Sequence, residues 1–195
     1  LDCFQSEQAF IMGMKPAVMT NDRYKMIHYL KDKYPFFTLQ KRPNCNEYIF
    51  FQDKSKKEHF LDQMDKKPNP QNPEHIRALG LILGFPPKAV DYFVRLHFAT
   101  SDKPILASQN VGLYYCGIHC ASSVDSLLDD VLWLWDKYPY PEIDTLQIRY
   151  HRGSIEQLCK LDYENVKSLQ FFQKLLKMTI ELENQQLYTP ALTTG

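Results

Sequence analysis

Apolar positions recur along this chain in two periods, and the breaks between them fall at proline and turn residues. Between Asn21 and Tyr34, the residues Tyr24, Ile27, Leu30 and Tyr34 stand three and four apart, which predicts an amphipathic helix ending before Pro35. Phe36 to Arg42 and Glu47 to Gln52 are rich in aromatic and β-favouring residues. With Pro43-Asn44-Cys45-Asn46 as turn chemistry between them, they predict a hairpin. Ser55 and Glu58 match a capping box, in which each side chain satisfies the other's orphan backbone N–H, opening a helix with Phe60, Leu61 and Met64 inward. Helix, hairpin and helix make one N-terminal unit.

Residues 66–73 read Lys-Lys-Pro-Asn-Pro-Gln-Asn-Pro, and each proline fixes its own φ and disfavours helix just before it. This is the hinge at which a single domain over residues 1–195 would subdivide. Beyond it, Asn72-Pro73 starts a helix with Ile76, Leu79, Ile82 and Leu83 on one side, and Pro86-Pro87 starts a second through Val90, Phe93 and Val94 to about Phe98. Val111 to Cys120 is apolar on both parities and holds two glycines, which predicts one buried central strand. Ser122 and Asp125 resemble a capping box for a helix through Val131 and Trp135 that stops at Pro139. Leu146, Ile148 and Tyr150 alternate with polar residues, the pattern of a strand with one wet face. From Ser154 a short helical segment with Leu158 and Leu161 is expected. A long helix from Asp162 should follow through Val166, Leu169, Phe172, Leu176 and Ile180. The fold class is therefore α+β: an N-terminal helix-hairpin-helix unit, a helical pair, a small mixed or antiparallel sheet with a buried strand near 111–120, and a long C-terminal helix.

Composition narrows the partners. Lys plus Arg equals Asp plus Glu at 23 each, so no strong field gathers phosphates or anionic lipid, and nucleic acid is disfavoured despite a basic lean between Lys31 and Lys67. No apolar run approaches a bilayer span, so no membrane contact is expected. Five cysteines is an odd number, and the first residues lack a basic segment followed by an apolar core. Reduced thiols in a cytoplasmic protein are expected. With seven glycines and no G-x-G, no phosphate cradle is present, and no cofactor is expected.

Three constellations carry candidate chemistry. Cys116, His119 and Cys120 would share a face on a helix, but on a strand His119 points the other way. No metal is expected, and the cysteines are core residues first. Cys120, ending a strand before a helix start, would gain thiolate character from that helix end. His151 would be its base, oriented by Asp144, Asp125 or Gln147. Arg149, His151 and Arg152 form a donor-rich cluster suited to a carboxylate or phosphate. Asp125, Asp129 and Asp130 fit a solvated helix start better than a Mg²⁺ site, which would need partners from another element. The C-terminal helix, over 162–186, carries more apolar surface than one packing face needs. It either spans the domain or forms a homo-oligomer interface. These features favour an interaction or ligand-recognition protein without a cofactor, its partner a protein or small molecule. The second reading is a cysteine-dependent hydrolase or transferase using Cys120 and His151.

Overall fold

In the computed structural model, which describes residues 4–40, 45–64, 68–152 and 155–188, the chain adopts the α+β architecture its periods predict. α1 (Ser6–Ile11) and β1 (Ala17–Asn21) come first, and the residue pattern marks neither. α2 (Ile27–Lys33) begins later than the periodicity from Asn21 suggests. The cause is local: Asn21 ends β1, and the Asp22 carboxylate accepts hydrogen bonds from Asn46, from Lys31 Nζ at 3.0 Å and from the Tyr48 hydroxyl at 2.7 Å. Those bonds hold residues 21–23 in a turn that a helix would break.

β2 (Phe36–Gln40) and β3 (Glu47–Phe51) form the expected antiparallel pair, and β1 joins the free side of β3 to give the order β1-β3-β2. Part of the expected turn, residues 43 and 44, lies outside the described residues. α3 (Lys54–Gln63) is capped by Asp53, whose side chain accepts from Lys56 N at 2.9 Å, and not by Ser55. α4 (Pro73–Ile82) has Asn72 as its cap, and α5 (Pro87–Phe98) restarts after the proline pair, as the sequence predicts. Ala17, Ile49, Phe51, Phe60, Met64 and Leu83 bury one another with Phe85 beside them, so residues before and after the proline-rich segment share a core.

After α6 (Lys103–Ser108), the run expected to be one strand is two: β4 (Asn110–Tyr115) and β5 (Ile118–Ser123), paired antiparallel. Cys116 (φ 49°) and Gly117 (φ 73°) make the turn. Positive φ at both central residues suits the right-handed twist of a hairpin. α7 (Leu127–Lys137) follows, with Ser122 still in β5. β6 (Leu146–Arg152) then pairs with β7 (Ile155–Leu161), a strand where a short helix was expected, before α8 (Val166–Tyr188). The sheet order is β5-β4-β6-β7. One face, carrying Val111, Leu113, Ile118 and Ile148, is buried under Val131 and Leu134 of α7 and Leu169 and Leu176 of α8.

Buried polar ties join these layers. Pro86 has no side-chain cap to offer α5, and Asp130 of α7 supplies it: its carboxylate accepts from Ala89 N at 3.1 Å, from Ser122 Oγ at 2.6 Å and from Ser126 Oγ at 2.8 Å. Burial pushes the Asp130 carboxyl above its ordinary range while these donors oppose the shift. Lys15, 2% exposed, donates to Ser6 Oγ at 2.5 Å and to Gly117 O at 3.1 Å, fastening the N-terminal segment to the β4–β5 turn. The Tyr138 hydroxyl donates to Gly84 O at 2.9 Å and sits where a Cβ on Gly84 would be.

Two outcomes follow from these ties. Asp130→Ala leaves the buried Ala89 N–H without its acceptor and removes the shared acceptor of Ser122 and Ser126, and should lower the unfolding free energy by about 3 kcal/mol, measured by urea titration. Burial lowers the Lys15 pKa from 10.5 to about 8, so between those values the unfolded chain binds the extra proton and stability rises with pH. The gain should approach roughly 3 kcal/mol across that window relative to Lys15→Met, read from denaturation of both proteins over a pH series.

Candidate functional site

The register of the four-stranded sheet decides which candidate residues meet. Cys120 pairs with Leu113, and Leu113 with Ile148, so these three share the face covered by α7 and α8. His151 stands three residues beyond Ile148 and therefore projects from the opposite face. Cys120 and His151 are thus kept apart by the sheet itself. Nor does Cys120 meet a helix mouth, because it lies within β5 and α7 begins only at Leu127. Burial pushes its thiol up, and Asp130 adds to the effect, so the environment disfavours thiolate where the sequence suggested the reverse.

Asp144 is engaged elsewhere. Its carboxylate accepts from Cys116 N at 2.8 Å and Thr145 N at 2.9 Å, holding the β4–β5 turn against the start of β6. His151 lies at the other end of that strand, roughly 20 Å away at about 3.3 Å per residue. Asp125 pairs with Lys177 at 2.9 Å, and Gln147 is buried four residues from His151 along β6. The three residues weighed as zinc ligands also separate: Cys116 is in the turn, while His119 and Cys120 take opposite faces of β5. Among the described residues no three His, Cys, Asp or Glu side chains gather to hold a metal ion, and no helix is long and apolar enough to cross a membrane.

The face left open by α7 and α8 does assemble part of the donor-rich cluster. Arg149 and His151 line one hollow of about 450 Å³ together with Asn110, Gly112, Tyr114 and Glu156. Gly112 makes this packing possible, since the Tyr114 ring folds back over it, 2.9 Å from where a Cβ would stand. Arg149 crosses from β6 with its guanidinium carbon 4.9 Å from the centre of that ring. Its Nε is buried and has no hydrogen-bond partner among the described residues. His119 adds an imidazole 5.2 Å from the other reach of the Tyr114 ring. The Arg152 side chain lies outside the described residues. Tyr114, Gly112 and Glu156 were not singled out from the sequence. A hairpin turn at Cys116-Gly117 sets Tyr114 opposite His119, but its place beside Arg149 comes from the separate pairing of β4 with β6.

Two other hollows differ in kind. One of about 640 Å³ between α5, α6 and the start of α7 is polar, and charged residues that line it are already in ion pairs: Lys88 with Asp129 at 2.6 Å, Asp91 with Arg77, and Asp125 with Lys177. A hollow of about 260 Å³ between α4, α5 and β5 is apolar, lined by Ile76, Leu79, Val90, Phe93 and Cys120 among others.

The thiols provide a check on the open and covered faces. Cys116 is buried, its thiol pushed up to about 12 by that burial, and Cys120, partly exposed and packed against the same core, is shifted in the same direction. In brief alkylation of the folded protein followed by peptide mass spectrometry, Cys45 should react well before either, and Cys120→Ser should leave the early labelling unchanged. Rapid modification of Cys120 would contradict this placement. Compared with known proteins, the chain matches no protein-family model, no curated protein and no solved structure.

Proposed function

We propose that this chain is a ligand-recognition protein that takes an anionic group, carboxylate or phosphate, on the open face of its four-stranded sheet, without a cofactor. The observation that carries the reading is Arg149. Its guanidinium stacks on the Tyr114 ring, and among the described residues its buried Nε has no hydrogen-bond partner and the group forms no ion pair. A half-buried guanidinium with a buried, unpartnered N–H is costly, and a ligand oxyanion that accepts from it offsets that cost. Because the stacked fork is already ordered, little side-chain entropy is lost on binding. His151 supplies a second donor beside it, and Glu156, paired opposite His151 across β6 and β7, sets an acceptor at the rim. A ligand carrying both an anionic group and a neighbouring hydroxyl or amine would use all three.

The cysteine-dependent reading draws no support from this geometry, because its nucleophile and base project from opposite faces of one sheet.

Titration with acetate and with inorganic phosphate, followed by amide chemical shifts, tests the proposal. Saturable shifts are expected at Gly112, Tyr114, Arg149 and His151. Arg149→Gln should weaken the binding by about tenfold or more, the loss of one charge-assisted contact. Shifts that never saturate, or that survive Arg149→Gln unchanged, would overturn it.

A further inference from the structure

α8 carries two apolar stripes where packing on its own domain uses one. Leu169, Phe172, Leu176 and Ile180 are buried against the rest of the core. Phe171, Leu175, Met178 and Leu182 are not: they are 70%, 41%, 50% and 58% exposed. A single exposed apolar side chain is ordinary, but these four stand in line at spacings of four, three and four, the seam of a two-helix coiled coil. Because α8 is already folded and seated on its domain, a partner helix meets this seam without first having to order it.

The charges beside the seam choose the partner. Lys174 and Glu181 are both exposed, lie seven residues apart along the same edge, and make no ion pair or hydrogen bond among the described residues. We infer that α8 joins a second copy of this chain in an antiparallel, two-fold symmetric pair. In that arrangement Phe171 meets the partner's Leu182, and Leu175 meets the partner's Met178. The flanking positions then bring Lys174 against the partner's Glu181, and Glu181 against the partner's Lys174, so one edge of the helix is complementary to itself. A parallel pair would set Lys174 beside the partner's Thr179 and leave both charges unmatched.

Sedimentation equilibrium of the whole chain over a micromolar to submillimolar series tests the inference. The mass should climb from that of the 23.0 kDa chain toward twice that value. Met178→Glu should hold the protein at the monomer mass with an unchanged thermal melt, since its side chain is half exposed within one copy. Lys174→Glu and Glu181→Lys alone should each weaken association on the order of tenfold, because two attractive contacts become repulsive by symmetry. Combined, they should restore it. A monomer at every concentration overturns the inference, as does a dimer indifferent to Met178→Glu or one that the combined exchange fails to recover.

Discussion

Among the described residues α7 and α8 cover one face of the four-stranded sheet, and the period-two alternation of its strands converts that fact into the placement of every candidate residue. α7 and α8 bury Leu113, Ile148 and their neighbours, so residues in register with them, Cys120 and Cys159 among them, pack against the core. Cys120 is such a residue, which is why its thiol is desolvated and held protonated. Arg149 and His151 occupy the alternate positions and emerge together on the uncovered side. A shift of one residue in the pairing of β6 would exchange these fates, burying a guanidinium and exposing Ile148. The hydrophobic load on the inner face makes that exchange prohibitively unfavourable. The chemistry of the outer face is therefore positioned by packing that happens on the inner one.

The rest of the chain is held to this sheet by a few polar contacts made where helices and turns leave backbone groups unsatisfied. Asp130 is the clearest of them, a carboxylate on one helix meeting the amide end of another whose own cap is a proline. The two serines that also reach it come from the end of β5 and the cap of α7, so one side chain fixes three elements. Lys15 plays the reciprocal part, a buried ammonium accepted by a hydroxyl and by the Gly117 carbonyl. Both are costly to bury, and both are placed where neutral packing would leave backbone dipoles without partners.

Legibility in the sequence followed punctuation. α4 and α5, each opened by a proline that fixes the first turn, and the β2–β3 pair, with polar turn residues between aromatic runs, were readable because breaker and pattern agree. The turn at Cys116-Gly117 was not, because cysteine rarely takes a positive φ and the surrounding run is apolar on both parities. Nothing in it marks where the chain reverses. β7 misled for the opposite reason: Leu158 and Leu161 are three apart as in a helix, yet in the strand they take opposite faces, one exposed and one buried. The open-face hollow was half legible. Arg149 and His151 could be named from an alternating strand, whereas Tyr114, the ring that orients the arginine, depends on a pairing no local pattern reveals.

The long helix shows how a quantity readable from sequence becomes interpretable only with the fold. Its apolar residues exceed one stripe, but periodicity does not say which of them the domain uses. The structure divides them into a buried set facing the sheet and an exposed set turned away from it. Since α8 lies on the covered side, a second copy seated on the exposed set approaches from the side opposite Arg149, and each copy's open sheet face remains accessible. The proposed association and the proposed ligand recognition would then occupy separate surfaces. The pairing would couple to binding only through the sheet between them, whose inner face is close-packed and whose outer face holds the stacked arginine.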